Sequence, residues 1–251
     1  MYHREDYPYL YETHLHTSNS SACAKNSGYD MAKAAHQYGY AGIFVTDHNW
    51  GGNNAIDPNL SWRDWVYAFT AGYRDAKRYA EEHPDFDVFF AYEAGFSGTE
   101  FLIYGISPQW LMDHPQIRDA SLEEHLQMVR DSGGVVIHAH PFRQAGYIKQ
   151  MRLYPQLVHG VEGINATHSN SKSMKHNDKA YDARAVEYAH THNLLMSAGS
   201  DVHGVDIFGG GVALRRRLRS VEDFCRVLLN NEDRLLTNGE EIYDKNGLSM
   251  P

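Results

Sequence analysis

The chain has 251 residues, 42% of them hydrophobic, with a formal net charge of −9, 16 histidines and two cysteines. That length suits one undivided domain over 1–251, as α/β barrels commonly are. The acidic balance excludes a general nucleic-acid binder, no apolar run is long enough to span a bilayer, and Met1–Asp6 lacks a secretory leader pattern, so a cytoplasmic protein is expected.

Tyr9–Thr13 reads as the first strand and runs into Thr13-His14-Leu15-His16-Thr17. Side chains alternate across a strand, so His14 and His16 share a face and can converge on one ion. Asp30–Tyr38 has helical spacing and is closed by Gly39. The buried strand Ala41–Val45 follows, ending in Thr46-Asp47-His48. After a loop over 49–60, Ser61–Asp64 resembles a capping box that opens one helix, with Trp62, Trp65, Val66, Phe69, Tyr73 and Ala76 facing inward.

Asp87–Tyr92 is the third strand and terminates in Glu93; Phe101–Gly105 is a fourth, close enough in sequence to pair with it antiparallel. Ser121-Leu122-Glu123-Glu124 caps a helix that runs to Ser132. Val135–Ile137 then delivers His138-Ala139-His140-Pro141, with Arg143 just beyond. Val161–Asn165 is a short strand, followed by a polar loop over 166–177 that contains His168, Lys172, Lys175 and His176. A helix over 178–192 leads to Leu194–Ala198 and Gly199-Ser200-Asp201-Val202-His203. Val212–Leu214 is the expected last strand and Ser220–Asn230 the final core helix.

Strands alternating with helices predict βα units and a mostly parallel sheet. Taken singly, Asp47 could cap a loop, Glu93 could form a surface ion pair and His140 could bond a carbonyl. Together, five strand ends carry imidazole or carboxylate groups, on the one barrel face where residues distant in sequence meet. That clustering points to a metal site. Cys23 and Cys225 are too few for a disulfide scaffold or a Cys-rich zinc site, so His and carboxylate must supply most ligands. His36, His83, His125, His190 and His192 lie in or at the ends of helices, where solvated or capping roles are expected.

The four motifs 13–17, 46–49, 139–141 and 199–203, with Glu93, resemble in order those of the PHP (polymerase and histidinol phosphatase) domains, from Glu12 to about Leu229. The resemblance implies a distorted, TIM-barrel-like (β/α)7 fold and two or three divalent ions, zinc, manganese or iron. It implies that His14, His16, Glu93 and Asp201 hold one ion and that Glu93 bridges to a second, held with His140 and either His168 or Asn165. His138, alternating with His140, is a further candidate for that position. His48 and His203 would contribute to a third ion. Where many relatives add an acidic or imidazole ligand, this chain has Ser18–Ala22 and then Cys23.

The implied activity is a metal-dependent phosphoesterase that uses a metal-activated hydroxide on a small phosphomonoester or short phosphodiester. Asp47 or Asp201 would orient the water or shuttle its proton, and Arg143 would fork onto phosphate. A nuclease trimming nucleic acid ends, and a metal-binding module with little activity, are the other readings. Arg215-Arg216-Arg217 with Arg219 is the only basic run and is expected to be a solvated edge.

Overall fold

The computed structural model describes residues 5–250. The first half of the chain alternates β1 (Tyr9–Leu15), α1 (Gly28–Tyr38), β2 (Gly42–Val45), α2 (Trp62–Phe69), α3 (Ala71–Glu82) and β3 (Asp87–Phe90). Then come β4 (Tyr92–Phe96), β5 (Thr99–Tyr104), α4 (Pro108–Asp113), a 3-10 turn, α5 (Leu122–Asp131) and β6 (Val135–His138). The rest holds β7 (Gly160–Asn165), α6 (Ala166–Ser169), α7 (Lys179–His192), β8 (Leu195–Gly199), β9 (Gly210–Leu214), α8 (Val221–Leu229), β10 (Leu235–Asn238) and β11 (Ile242–Asp244).

The strands form two mixed sheets, ordered β11-β10-β9-β1-β2-β3 and β4-β5-β6-β7-β8. Parallel pairing is confined to β1-β2-β3 and β6-β7-β8, and every other neighbouring pair is antiparallel. The expectation of a mostly parallel (β/α)7 barrel is corrected accordingly. Two local features account for the difference. The strand expected over 87–92 breaks at Ala91 into β3 and β4, and the turn at Ser97 and Gly98, both at positive φ, folds β5 back on β4. In addition, β9 is not the last strand: β10 and β11 continue the antiparallel run beyond it.

The sheets meet at the ends that matter for the site. Leu15 bridges Val202, His48 bridges Glu93, and Glu93 N donates to Asp47 O at 3.1 Å. The carboxyl ends of β1, β2 and β8 are thereby brought beside β4. One apolar cluster, including Tyr11, Phe44, Leu102, Tyr104, Val161 and Phe224, ties the sheets together. Each such fully buried side chain contributes about 1.5–3 kcal/mol.

The helix expected from Ser61 is two helices. Thr70 separates them, its hydroxyl donating back to Val66 O at 3.0 Å, a bond that competes with helix continuation. A second helix end behaves as its sequence predicts: Gly39 closes α1 at φ 106° and donates to Ala35 O and His36 O. No helix among the described residues is long and apolar enough to cross a membrane.

Candidate metal centre

Strand alternation puts His14, in β1, and His16, just beyond its end, on one face, and both side chains are fully buried. His14 Nε2 lies 3.3 Å from Glu93 Oε1 and 3.4 Å from Asp201 Oδ1. His16 Nε2 lies 3.1 Å from Asp201 Oδ1 and 3.6 Å from Glu93 Oε2. From beyond β2, His48 Nδ1 approaches Glu93 Oε2 to 2.7 Å; from beyond β6, His140 Nε2 is 3.1 Å from Glu93 Oε1. Glu93 is the hub.

Four overlapping triplets have ligand atoms within 4.8 Å of one another: His16, His48 and His203; His14, His140 and Asp201; His14, His16 and Glu93; and His48, Glu93 and Glu100. Their donor chemistry fits divalent cations. A sharper test of fit is hydrogen bonding. His14 Nε2, His48 Nδ1 and Glu93 Oε2 are buried without a hydrogen-bond partner, the short His48–Glu93 approach lacking the required geometry. Buried polar atoms are normally paired, and orphans converging on a common space are what a cation satisfies.

Electrostatics also favour cation binding. Burial opposes ionisation of Glu93, yet His14 and His48 hold it well below the usual carboxylate range. Burial likewise disfavours charge on Asp201, but Arg143 and His14 keep it ionised. His140 and Asp201 adopt positive φ, 30° and 55°, a strained conformation for residues with a side chain. Such strain persists where the surroundings hold it in place, and here both residues aim into the cluster.

A second layer fixes the imidazoles. Glu162 Oε1 lies 2.9 Å from His14 Nδ1, and Glu162 Oε2 accepts from His140 N at 3.1 Å and Asn165 Nδ2 at 2.8 Å. Glu12 Oε1 accepts the backbone N–H groups of His14 and Ser200 at 3.0 and 2.9 Å, joining β1 to the end of β8. Sequence reasoning misses both Glu162 and Glu100. The available signal is a lone carboxylate inside each apolar strand, Val161–Ile164 and Thr99–Ile103, since a buried carboxylate has to be paired.

Several expected site residues take other positions. Asp47, expected to orient water or shuttle a proton, instead accepts through its carboxylate from Thr17 N (2.7 Å), Thr17 Oγ1 (2.6 Å) and Ser21 Oγ (2.6 Å). It clasps the loop after β1 and joins none of the triplets. His168 is expected as a ligand, but both its ring nitrogens are engaged, Nε2 by Arg143 Nε at 3.0 Å and Nδ1 by Asp182 Oδ1 at 2.8 Å. Asn165 caps α6, its Oδ1 accepting from Thr167 N at 2.9 Å. His138 stacks on Phe101 with ring centroids 4.8 Å apart, away from the triplets.

Arg143 is brought to the cluster. It is buried, pairs through Nη1 with Asp201 Oδ2 at 2.6 Å, and has Nη2 without a partner. The helix histidines are used elsewhere: His36 pairs with Asp85, His125 meets Tyr92 OH and His190 meets Asn246 O. In the basic run, Arg215, Arg216 and Arg217 pair with Asp233, Asp223 and Asp87.

No family model and no curated protein matches the chain. Solved structures do. Over 94% of this chain and 69% of the other, it superposes on a two-domain protein from Bacteroides vulgatus that contains a predicted PHP-like metal-dependent phosphoesterase, at a TM-score of 0.63 and 14% identity. A protein from Bifidobacterium adolescentis assigned as a metal-dependent phosphoesterase matches at a TM-score of 0.53 and 15% identity, covering 88% of this chain and 95% of that one. PsfC from Pseudomonas syringae matches at 0.55 and 16% identity, with coverage of 86% and 87%. The resemblance to PHP domains carried by the motifs thus extends to the fold.

Proposed function

We propose that this protein is a metal-dependent phosphoesterase acting on a small phosphomonoester or a short phosphodiester. The observation that carries the reading is Arg143 beside the cluster: a buried guanidinium, anchored on Asp201 and His168, whose free Nη2 can bind a phosphoryl oxygen. His14, His16, Glu93, His140 and Asp201 would hold one pair of cations, and His48 and His203 would contribute to a third position. Divalent ions at such positions make water nucleophilic at neutral pH and neutralise phosphoryl oxygens.

The chain's own contribution is orientation. Asp201 joins the two halves of the site, since Oδ1 faces His14 and His16 while Oδ2 holds Arg143. A phosphoryl group bound by Arg143 therefore sits beside the imidazole and carboxylate cluster. Charge arranged in advance around the transferring group usually lowers the barrier to phosphoryl transfer more than any other effect. Asp201 is also the remaining candidate for proton transfer, as Asp47 is occupied with Thr17 and Ser21. The pairing of Arg215–Arg217 with Asp233, Asp223 and Asp87 favours a small substrate over nucleic acid, which would need those charges free.

The test is hydrolysis of a panel of small phosphomonoesters and of labelled single-stranded DNA, with zinc, manganese or ferrous ion, by the wild type and by Asp201→Asn. Turnover of a phosphomonoester that falls by at least about a hundredfold in the variant is expected. Faster release of nucleotides from DNA ends would replace this reading with a nuclease. No hydrolysis with any metal would leave a metal-binding module.

A further inference from the structure

We propose that Glu100 is a metal ligand, completing with Glu93 and His140 the position for which the sequence offers His168, Asn165 or His138. The inference rests on the reading of the cluster as a metal centre. It starts from His140 Nε2, on which three carboxylates converge: Glu93 Oε1 at 3.1 Å, Glu100 Oε2 at 3.7 Å and Asp201 Oδ2 at 4.0 Å. Donors about 2.1 Å from a tetrahedral ion stand roughly 3.4 Å apart, a spacing that the first two distances bracket. Asp201 Oδ2 is already taken by Arg143 Nη1 at 2.6 Å, which leaves Glu93, Glu100 and His140 as the donors here. From the other side, a carboxylate oxygen of Glu100 lies within 4.8 Å of ligand atoms of both His48 and Glu93, which ties it to the hub.

The surroundings of Glu100 give an independent argument. Its side chain is only 11% exposed, yet among the described residues no lysine or arginine pairs with it. Its one side-chain hydrogen bond comes from Tyr147 OH at 3.5 Å, a distance at which such a bond is weak. A carboxylate so far out of water has to be compensated, and a cation in the cluster does this. Glu100 also lines, with His140 and Arg143, the cavity between the β4–β5 turn and the segment after β6. A free carboxylate there would repel the phosphoryl group that Arg143 attracts; one bound to a cation would not. The backbone fixes the approach, since Ala139 N donates to Glu100 O at 3.0 Å and so holds β5 beside the residue that precedes His140.

Two carboxylates and one imidazole make a harder donor set than the one around His14 and His16, so manganese competes better with zinc at this position than at its neighbour. Three protein donors also leave a coordination position open, as hydrolytic sites require.

Manganese(II) added alone to the purified protein tests this without reference to activity, the free ion being measured by electron paramagnetic resonance. The wild type should take up more than one equivalent. In Glu100→Gln one equivalent should weaken by at least about a hundredfold, more than an outer partner is worth, while the equivalent at His14 and His16 is kept. Glu100→His restores a donor, of softer character, and should hold as many zinc equivalents as the wild type; it also keeps the test open should the glutamine variant fail to fold. Affinities for every equivalent within about a hundredfold of the wild type in Glu100→Gln, or a zinc equivalent missing from Glu100→His, would overturn the assignment of Glu100 alone. Failure of the wild type to bind either metal would overturn the metal-centre reading as well.

Discussion

Arg143 Nε donates to His168 Nε2 at 3.0 Å, which makes that nitrogen an acceptor and puts the ring proton on Nδ1, facing Asp182 Oδ1 at 2.8 Å. Asp182 in turn accepts from Ser169 Oγ and Asn165 N. The chain of contacts from α7 to Arg143 is therefore directional, and its last member is the guanidinium beside the cluster. His168→Gln should leave the number of bound metal equivalents unchanged while lowering kcat/KM by roughly ten- to a hundredfold, because Arg143 loses its support. Elemental analysis beside steady-state kinetics checks both halves; loss of a metal equivalent would return His168 to the role of ligand.

Glu162 sets the orientation of His14 and of the backbone at His140 through one carboxylate. Glu162→Gln keeps the shape but removes the charge that holds the His14 Nδ1 proton. Outer partners of this kind are worth about ten- to a hundredfold in metal affinity. Competition with a chromophoric chelator measures the loss, and an unchanged affinity would reduce Glu162 to a packing residue.

These two cases also show what is legible in the sequence. His14, His16, Glu93, His140 and Asp201 can be picked out because each falls at or next to a strand end, where period-two alternation says which neighbours share a face. For His168, spacing locates a histidine but not the direction of its nitrogens, which here face Arg143 and Asp182. The contacts of Asp47 are hidden for a similar reason: its partners Thr17 and Ser21 lie in a loop with no periodicity. The antiparallel share of the sheets stays hidden because strand direction leaves no mark on the apolar pattern; only the turn at Ser97 and Gly98 hints at it.

Gly72 is a packing requirement of the Asp47 clasp. A Cβ at this position in α3 would lie 2.0 Å from Thr17 Oγ1 and 2.6 Å from Asp47 Oδ2. Gly72→Ala must displace both, at a cost of about 1–3 kcal/mol despite the better helix propensity of Ala. Gly146, where an added Cβ meets nothing within 4 Å, is the matched control, expected within about 0.5 kcal/mol of the wild type. Urea unfolding of the two variants compares them directly, and equal midpoints would show that the clasp is free to move.

His125 carries the clearest pH dependence outside the centre. It is buried in α5, Nε2 3.0 Å from Tyr92 OH and Nδ1 unpartnered, and burial pushes its pKa down to about 3. An unfolded histidine titrates near 6.5. Above that pH neither state binds the proton. Between about 6.5 and 3 the unfolded chain holds a proton that the folded chain refuses, so this residue subtracts up to about 1.4 kcal/mol of stability for each unit the pH falls; below about 3 both states are protonated and the effect stops. In His125→Phe that slope is gone, while Tyr92 OH loses its partner, a cost of about 1–3 kcal/mol at neutral pH. Unfolding free energies measured from pH 7 to pH 4 should therefore start apart, converge as the pH falls and cross before pH 4, where the loss of about 3.4 kcal/mol in the wild type exceeds the initial gap. Parallel curves would mean that His125 takes up its proton in the folded state, against the burial that surrounds it.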